Sequence, residues 1–269
     1  AAPPPLAPVA APPWPRRVST PYVDATAWPP FDFVAAADLH GQRFFNLAFV
    51  VATSPTNGDP SWGGYYPVSS GYLLPEINDL RARGGDVMVS FGGAAGTELA
   101  AAHPTVASLQ AAYQATIDAY GLVYVDFDIE GAWIAEPVSI LRRSLAIAGL
   151  QAAAAAQGRE LRVWFTLPVL PSGLTLDGQN LIASALANGV SLDGLNIMAM
   201  DYGASAAPNP AGQMGAYAIQ AATSTHAQLL ALYAAANIPL SPAAAWRKIG
   251  ATPMIGQNDV PGEIFTLAD

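Results

Sequence analysis

The sequence predicts an α/β fold, a (β/α)8 TIM barrel that runs out before its final helix and eighth strand. Three observations carry that reading. From Val18 onward, short β-branched and aromatic runs alternate with Ala- and Leu-rich stretches of helical length, the rhythm of a parallel sheet with crossover helices. Seven such strands recur at roughly 30 to 40 residue intervals, a rhythm that doubly wound sheets and barrels share. Several close on polar residues at their C-terminal ends, which favours the barrel, where that end carries the chemistry.

The elements come in this order. Residues 1–17 hold seven prolines in the first fifteen positions and no charge before Arg16, which predicts an extended, polyproline-like linker outside the fold. Trp14 within it is expected to make no specific contact, and 18–269 is the expected domain. Thr20–Ala25 is the first strand. Phe44–Ala52 is the second strand. A helix over Pro75–Arg83 opens on a first-turn proline, and the strand Asp86–Gly92 comes next. Thr105 is a natural cap for a helix to Tyr120, which Gly121 ends before the strand Leu122–Glu130. The helix Pro137–Gln157 closes at Gly158 ahead of the strand Leu161–Pro168. The helix Asn180–Asn188 then precedes the strand Gly194–Asp201, and the helix Ala216–Ala236 the strand Lys248–Ile255. Gly256–Asp269 is too short for a helix and a strand, and Gly262–Asp269 reads as the start of a helix.

Composition removes several functions. Twenty acidic against eleven basic side chains give a net charge of -9, with no basic footprint for nucleic acid or an anionic membrane. No apolar run approaches the roughly 20 residues that a membrane helix needs. The 269 residues include no cysteine, so disulfides, thiolate metal sites and a Cys nucleophile are absent, and the compartment stays open on this count. His40, His103 and His226 form no H-E-x-x-H pattern, and no G-x-S-x-G elbow presents a serine. The Gly-rich stretch Ser90–Gly96 has no Lys after it, so a tight turn is the better reading than a phosphate cradle.

One segment concentrates chemistry. In Val125-Asp126-Phe127-Asp128-Ile129-Glu130-Gly131, three of the twenty acids fall within five residues. On an extended strand Asp126, Asp128 and Glu130 share one face, with neighbours about 6.6 Å apart at Cα. Three carboxylates crowded in a barrel interior cannot all ionise cheaply, so at least one pKa should rise towards neutral and supply a proton donor. A solvated strand face and a divalent-cation site are the other readings of the ladder.

The run Asp126–Glu130 resembles the D-x-D-x-E end of the signature of glycoside hydrolase family 18, the chitinases and their relatives. The longer family form has an Asp where this chain has Val123. Ser90-Phe91-Gly92-Gly93 and Met198-Ala199-Met200-Asp201-Tyr202 fall in the family's order and spacing, as do Trp164–Pro168 and Thr252–Gly256, so the likeness spans most of the chain. It implies a barrel enzyme that hydrolyses chitin or chitooligosaccharides without cofactor or metal. Glu130 is then the general acid and base, Asp128 orients the substrate's acetamido group, and Asp126 lies behind it.

The expected substrate-binding residues are Asp201, Tyr202, Met200, Tyr22 and Gly93. Where the family commonly has Tyr before the Asp, this chain has Met200, with Tyr202 after it. Trp28, Trp62, Tyr65 and Tyr66 are further aromatic candidates for stacking on sugar rings. The resemblance implies a secreted, monomeric protein. A non-hydrolytic glycan-binding relative, an endo-N-acetylglucosaminidase acting on N-glycan cores and a metal-dependent barrel enzyme remain the alternatives.

Overall fold

Asp86–Gly92 is buried at every position, as a strand covered on both faces must be. A computed structural model describes residues 6–269, so residues 1–5 of the expected linker lie outside the described residues. Two compact units divide the chain. The first takes the described chain up to Asp128 together with Leu145–Val163, and the second takes Ile129–Ser144 and Trp164–Asp269.

In the first unit β1 (Tyr22–Asp24) and α1 (Phe33–His40) lead into β2 (Phe44–Ser54) and the hairpin of β3 (Asn57–Trp62) with β4 (Tyr66–Pro67). Then come α2 (Leu74–Ala82), β5 (Asp86–Gly92), α3 (Leu99–Ala102), α4 (Val106–Tyr120) and β6 (Tyr124–Asp128). α5 (Pro137–Ala156) and β7 (Arg162–Leu170) each belong partly to both units. β1, β5 and their neighbours β2 and β6 pair in parallel, with Tyr22 opposite Asn46, Phe44 opposite Asp86 and Ser90 opposite Asp126. That register decides which side chains can meet on one face.

Local chemistry sets the helix limits. The Asp32 carboxylate accepts the Ala35 N–H and the Thr105 hydroxyl accepts the Ser108 N–H, while Gly41 and Gly121 close α1 and α4 in the left-handed conformation. The core of this unit is aromatic: the rings of Phe91, Tyr113 and Phe127 lie 4.9 to 5.3 Å apart. Trp62 is fully buried and its indole N–H donates to the Tyr120 hydroxyl at 2.8 Å. That removes Trp62 from the candidate sugar platforms, because a ring enclosed in the core has no face to offer.

Trp14 is also corrected. Its indole N–H donates to Asp86 Oδ2 at 2.7 Å, and its ring stacks on Tyr124 at 4.2 Å with Phe44 at 4.9 Å. Asp86 Oδ1 meanwhile accepts from Arg81 Nε at 2.7 Å in a fully buried ion pair, and the same guanidinium donates to the carbonyls of Val9 and Tyr120. Asn78 clasps the backbone at Ala7 and Val9. Residues 7–14 are therefore fastened at the N-terminal ends of β2, β5 and β6 by groups that a proline count does not reveal.

The second unit continues with β8 (Gly173–Leu174), α6 (Leu176–Ala187), β9 (Leu192–Met198), α7 (Met214–Ala235), α8 (Pro242–Trp246) and β10 (Ile249–Thr252). All seven expected strands are thus present, as β1, β2, β5, β6, β7, β9 and β10. α6 begins at Leu176, four residues before the predicted start, because Thr175 caps it by accepting the Gly178 N–H. β9 and β10 pair in parallel, and two glycines on them make room for one large ring: a Cβ on Gly194 would stand 2.4 Å from Trp164, and one on Gly250 3.0 Å from it. One layer further, the Asn196 amide donates to the hydroxyls of Thr166 and Thr252. The last residues do not begin a helix. They form β11 (Gly256–Gln257) and β12 (Ile264–Phe265), an antiparallel hairpin in which Gly256 pairs with Phe265 and Gln257 with Ile264.

Candidate active site

β6 delivers its acids by alternation. Val125 and Phe127 fill the core, and Asp126 and Asp128 are buried as well, Asp126 completely. A single oxygen of Asp126, Oδ2, accepts hydrogen bonds from the Tyr22 hydroxyl at 2.7 Å, the Ser90 hydroxyl at 2.7 Å and the Asn46 amide at 3.1 Å. β1, β2 and β5 each contribute one donor, which the register of Tyr22 with Asn46 and Ser90 with Asp126 makes possible. Three donors on one oxygen fix the carboxyl group, so Asp126 is a positioned member of the ladder. Asn46 was not anticipated. A lone polar residue in the apolar run Phe44–Ala52 was the signal, since burial without a partner would cost roughly 1–3 kcal/mol.

Next to Asp126, the Asp128 carbonyl accepts the Gly93 N–H at 2.9 Å. Gly93 has φ 83°, and a Cβ there would lie 2.7 Å from the Phe49 ring, so the close approach requires glycine. Glu130 lies two residues beyond the end of β6 and is itself extended at φ −140° and ψ −176°. Ile129 between them anchors the segment by donating its N–H to the Thr166 carbonyl at 3.1 Å. Glu130 is half-buried, and desolvation pushes its carboxyl pKa above the ordinary glutamate value.

The end of β9 behaves differently. Leu195, Ile197 and Ala199 are buried while Asn196, Met198 and Met200 are half-buried, the expected two-residue period. Continued by one more step, that period would put Tyr202 on the methionine face. Asp201 breaks it, because its φ of 51° is left-handed and reverses the parity of the residues beyond it. Tyr202 is only 4% exposed, its ring meets Tyr217 of α7 edge-on at 6.2 Å, and its enclosed hydroxyl has no hydrogen-bond partner among the described residues. Burial first, and the Glu263 carboxylate second, raise its phenol pKa far above the usual value.

Asp201 Oδ1 accepts the Val260 N–H at 2.8 Å, and Glu263 accepts the N–H groups of Tyr202 and Gly203 at 3.0 and 2.7 Å. Glu263, almost fully buried, was not foreseen, and no periodicity or motif around it gives a signal. Among the other aromatic candidates, Trp28 and Tyr65 are strongly exposed, and Tyr66 stacks on Tyr72 at 4.1 Å. Among the described residues no group of three or more His, Asp or Glu side chains is arranged to hold a metal ion. No helix among them is long and apolar enough to cross a membrane.

Known proteins resemble this chain closely. A probable bifunctional chitinase/lysozyme of Escherichia coli (strain K12) is 41% identical over 260 residues, which are 95% of this chain and 28% of that protein. Endochitinase 11 of Metarhizium anisopliae is 40% identical over the same share of this chain and 48% of its own length. Among solved structures, active domain 2 of a thermostable chitinase from Pyrococcus furiosus, complexed with chito-oligosaccharides, is 33% identical. It superposes with a TM-score of 0.82 over 96% of this chain and 78% of that one. The chain belongs to glycoside hydrolase family 18.

No family model matches the sequence. The likeness to the Pyrococcus domain nevertheless covers nearly the whole chain, and it carries the family 18 fold with it, a mostly parallel α/β sheet of the TIM-barrel class. The chain spans about half or less of the curated relatives it matches.

Proposed function

We propose that this chain hydrolyses β-1,4-linked N-acetylglucosamine polymers, chitin and chitooligosaccharides, by a retaining, substrate-assisted mechanism. The observation that carries the reading is Glu130, the last acid of the Asp126–Glu130 run, extended and half-buried, with its carboxyl pKa raised by desolvation. A general acid needs that property. Family membership supplies the rest, since family 18 hydrolases are substrate-assisted.

Glu130 protonates the glycosidic oxygen as the bond to the anomeric carbon breaks. The substrate's own acetamido oxygen attacks that carbon, so no protein nucleophile is required. Asp128 orients the acetamido N–H and offsets the positive charge of the cyclic intermediate, with a proton shared between it and Asp126. Tyr22, Ser90 and Asn46 hold Asp126 for that exchange. Glu130, now a carboxylate, takes a proton from the water that opens the intermediate, and configuration is retained. Asp201 and Met200 are assigned to the sugar-binding surface, and a secreted, monomeric enzyme without a cofactor is the form this reading expects.

The test is release of reducing sugar from N-acetylglucosamine oligomers by the full chain beside Glu130→Gln. Activity in the wild type that disappears in the variant supports the proposal. Equal activity in both overturns it, and oligosaccharide binding without hydrolysis by folded wild type would favour a non-hydrolytic glycan-binding protein.

A further inference from the structure

The turn after β9 and the C-terminal hairpin hold each other by exchanged carboxylates. Asp201 accepts a backbone N–H from the hairpin, at Val260, and Glu263 of the hairpin accepts two backbone N–H groups from the turn, at Tyr202 and Gly203. Hydrogen bonds from N–H groups to a carboxylate are among the stronger kind, and Glu263 is buried, so water cannot replace them. The hairpin is itself braced. Asn258 N–H donates to the Glu263 carbonyl at 2.8 Å, Glu263 N–H to the Val260 carbonyl at 3.2 Å, and the Asn258 amide to the Met254 carbonyl at 2.8 Å.

Between these holds sits Asp201 in a left-handed conformation that a non-glycine residue adopts only at a cost, and such strain persists only where the surroundings enforce it. We propose that Glu263 is a positioning residue of the active site: by binding the Tyr202 and Gly203 amides it holds the turn that presents Asp201 to the substrate. The inference rests on the hydrolase reading above and adds to it a residue 62 positions further along the sequence than Asp201.

A double-mutant cycle on the full chain decides it, read as kcat/KM on N-acetylglucosamine oligomers with a thermal melt of each protein. Glu263→Gln keeps the volume but turns an NH2 group towards one of the two amides, and on the order of a tenfold loss is expected. Asp201→Gly removes the carboxylate while suiting the left-handed backbone. If Glu263 acts through Asp201, adding Glu263→Gln to Asp201→Gly costs little more. Losses that multiply, or full activity in Glu263→Gln, overturn the inference while leaving the hydrolase reading intact. Should Glu263→Gln fail to fold, Glu263→Asp, which keeps the charge one methylene back, enters the same cycle. An inactive wild type defeats the hydrolase reading; the cycle is then read as affinity for the oligomers, and absence of binding overturns the positioning role too.

Discussion

β6 is buried from Val125 to Asp128 while β9 alternates, and both lead into residues assigned to the sugar site, yet they end in opposite ways. After β6 no residue up to Glu130 has a positive φ, and Glu130 is itself extended. After β9 a single residue at φ 51° reverses the parity, and Tyr202 goes into the core beside Tyr217. Side-chain direction along a strand is thus only as reliable as the backbone torsions that carry it. At Asp201 one left-handed residue is enough to send the next side chain to the other face.

Four measurements probe the two strand ends. The largest effect is expected at the intact end: Glu130→Gln should lower kcat on N-acetylglucosamine oligomers by roughly 10²–10⁴-fold, the range for loss of a general acid. A smaller loss would mean that another group delivers the proton. Tyr22→Phe removes one of three donors from Asp126 and should cost about tenfold in kcat/KM, with the melt little changed. A wild-type rate would show that Ser90 and Asn46 suffice.

The third concerns pH. Because the folded state raises the Glu130 pKa, the unfolded chain loses that proton first as pH rises, so between the two values the native state binds more protons. The stability from this group is complete below the unfolded value and is lost as pH rises through the folded one. Urea midpoints of wild type and Glu130→Gln should therefore differ in slope across that window, and parallel curves would refute the desolvation. The smallest effect belongs to Tyr202→Phe, which removes an enclosed hydroxyl with no hydrogen-bond partner among the described residues. Stability should change by less than about 1 kcal/mol, and a larger drop in a denaturant titration would reveal a partner for that hydroxyl.

Much of this was legible. The seven strands announce themselves through β-branched and aromatic runs, and the acid ladder stands out because three charges interrupt an apolar strand at even spacing. Both signals are local. The features that escaped are built from contacts between residues far apart in sequence: Glu263 with Tyr202 and Gly203, Asn46 with Asp126, and Trp14 with Asp86. The hairpin that carries Glu263 has strands of two residues each, too short for any period to register. The sign of φ at Asp201 is set by the neighbours that grip it.

The fastening of residues 7–14 bears on how freely this stretch can drift in sequence. Its prolines and alanines could be exchanged for one another with little effect, because the holds at Ala7 and Val9 use the main chain. Trp14 cannot. Its ring covers Tyr124, the residue from which the acid-bearing strand sets out, and its N–H meets a carboxylate already committed to a buried arginine. Within a segment otherwise open to substitution, it is the one side chain through which a change at the edge of the protein would reach the foot of β6.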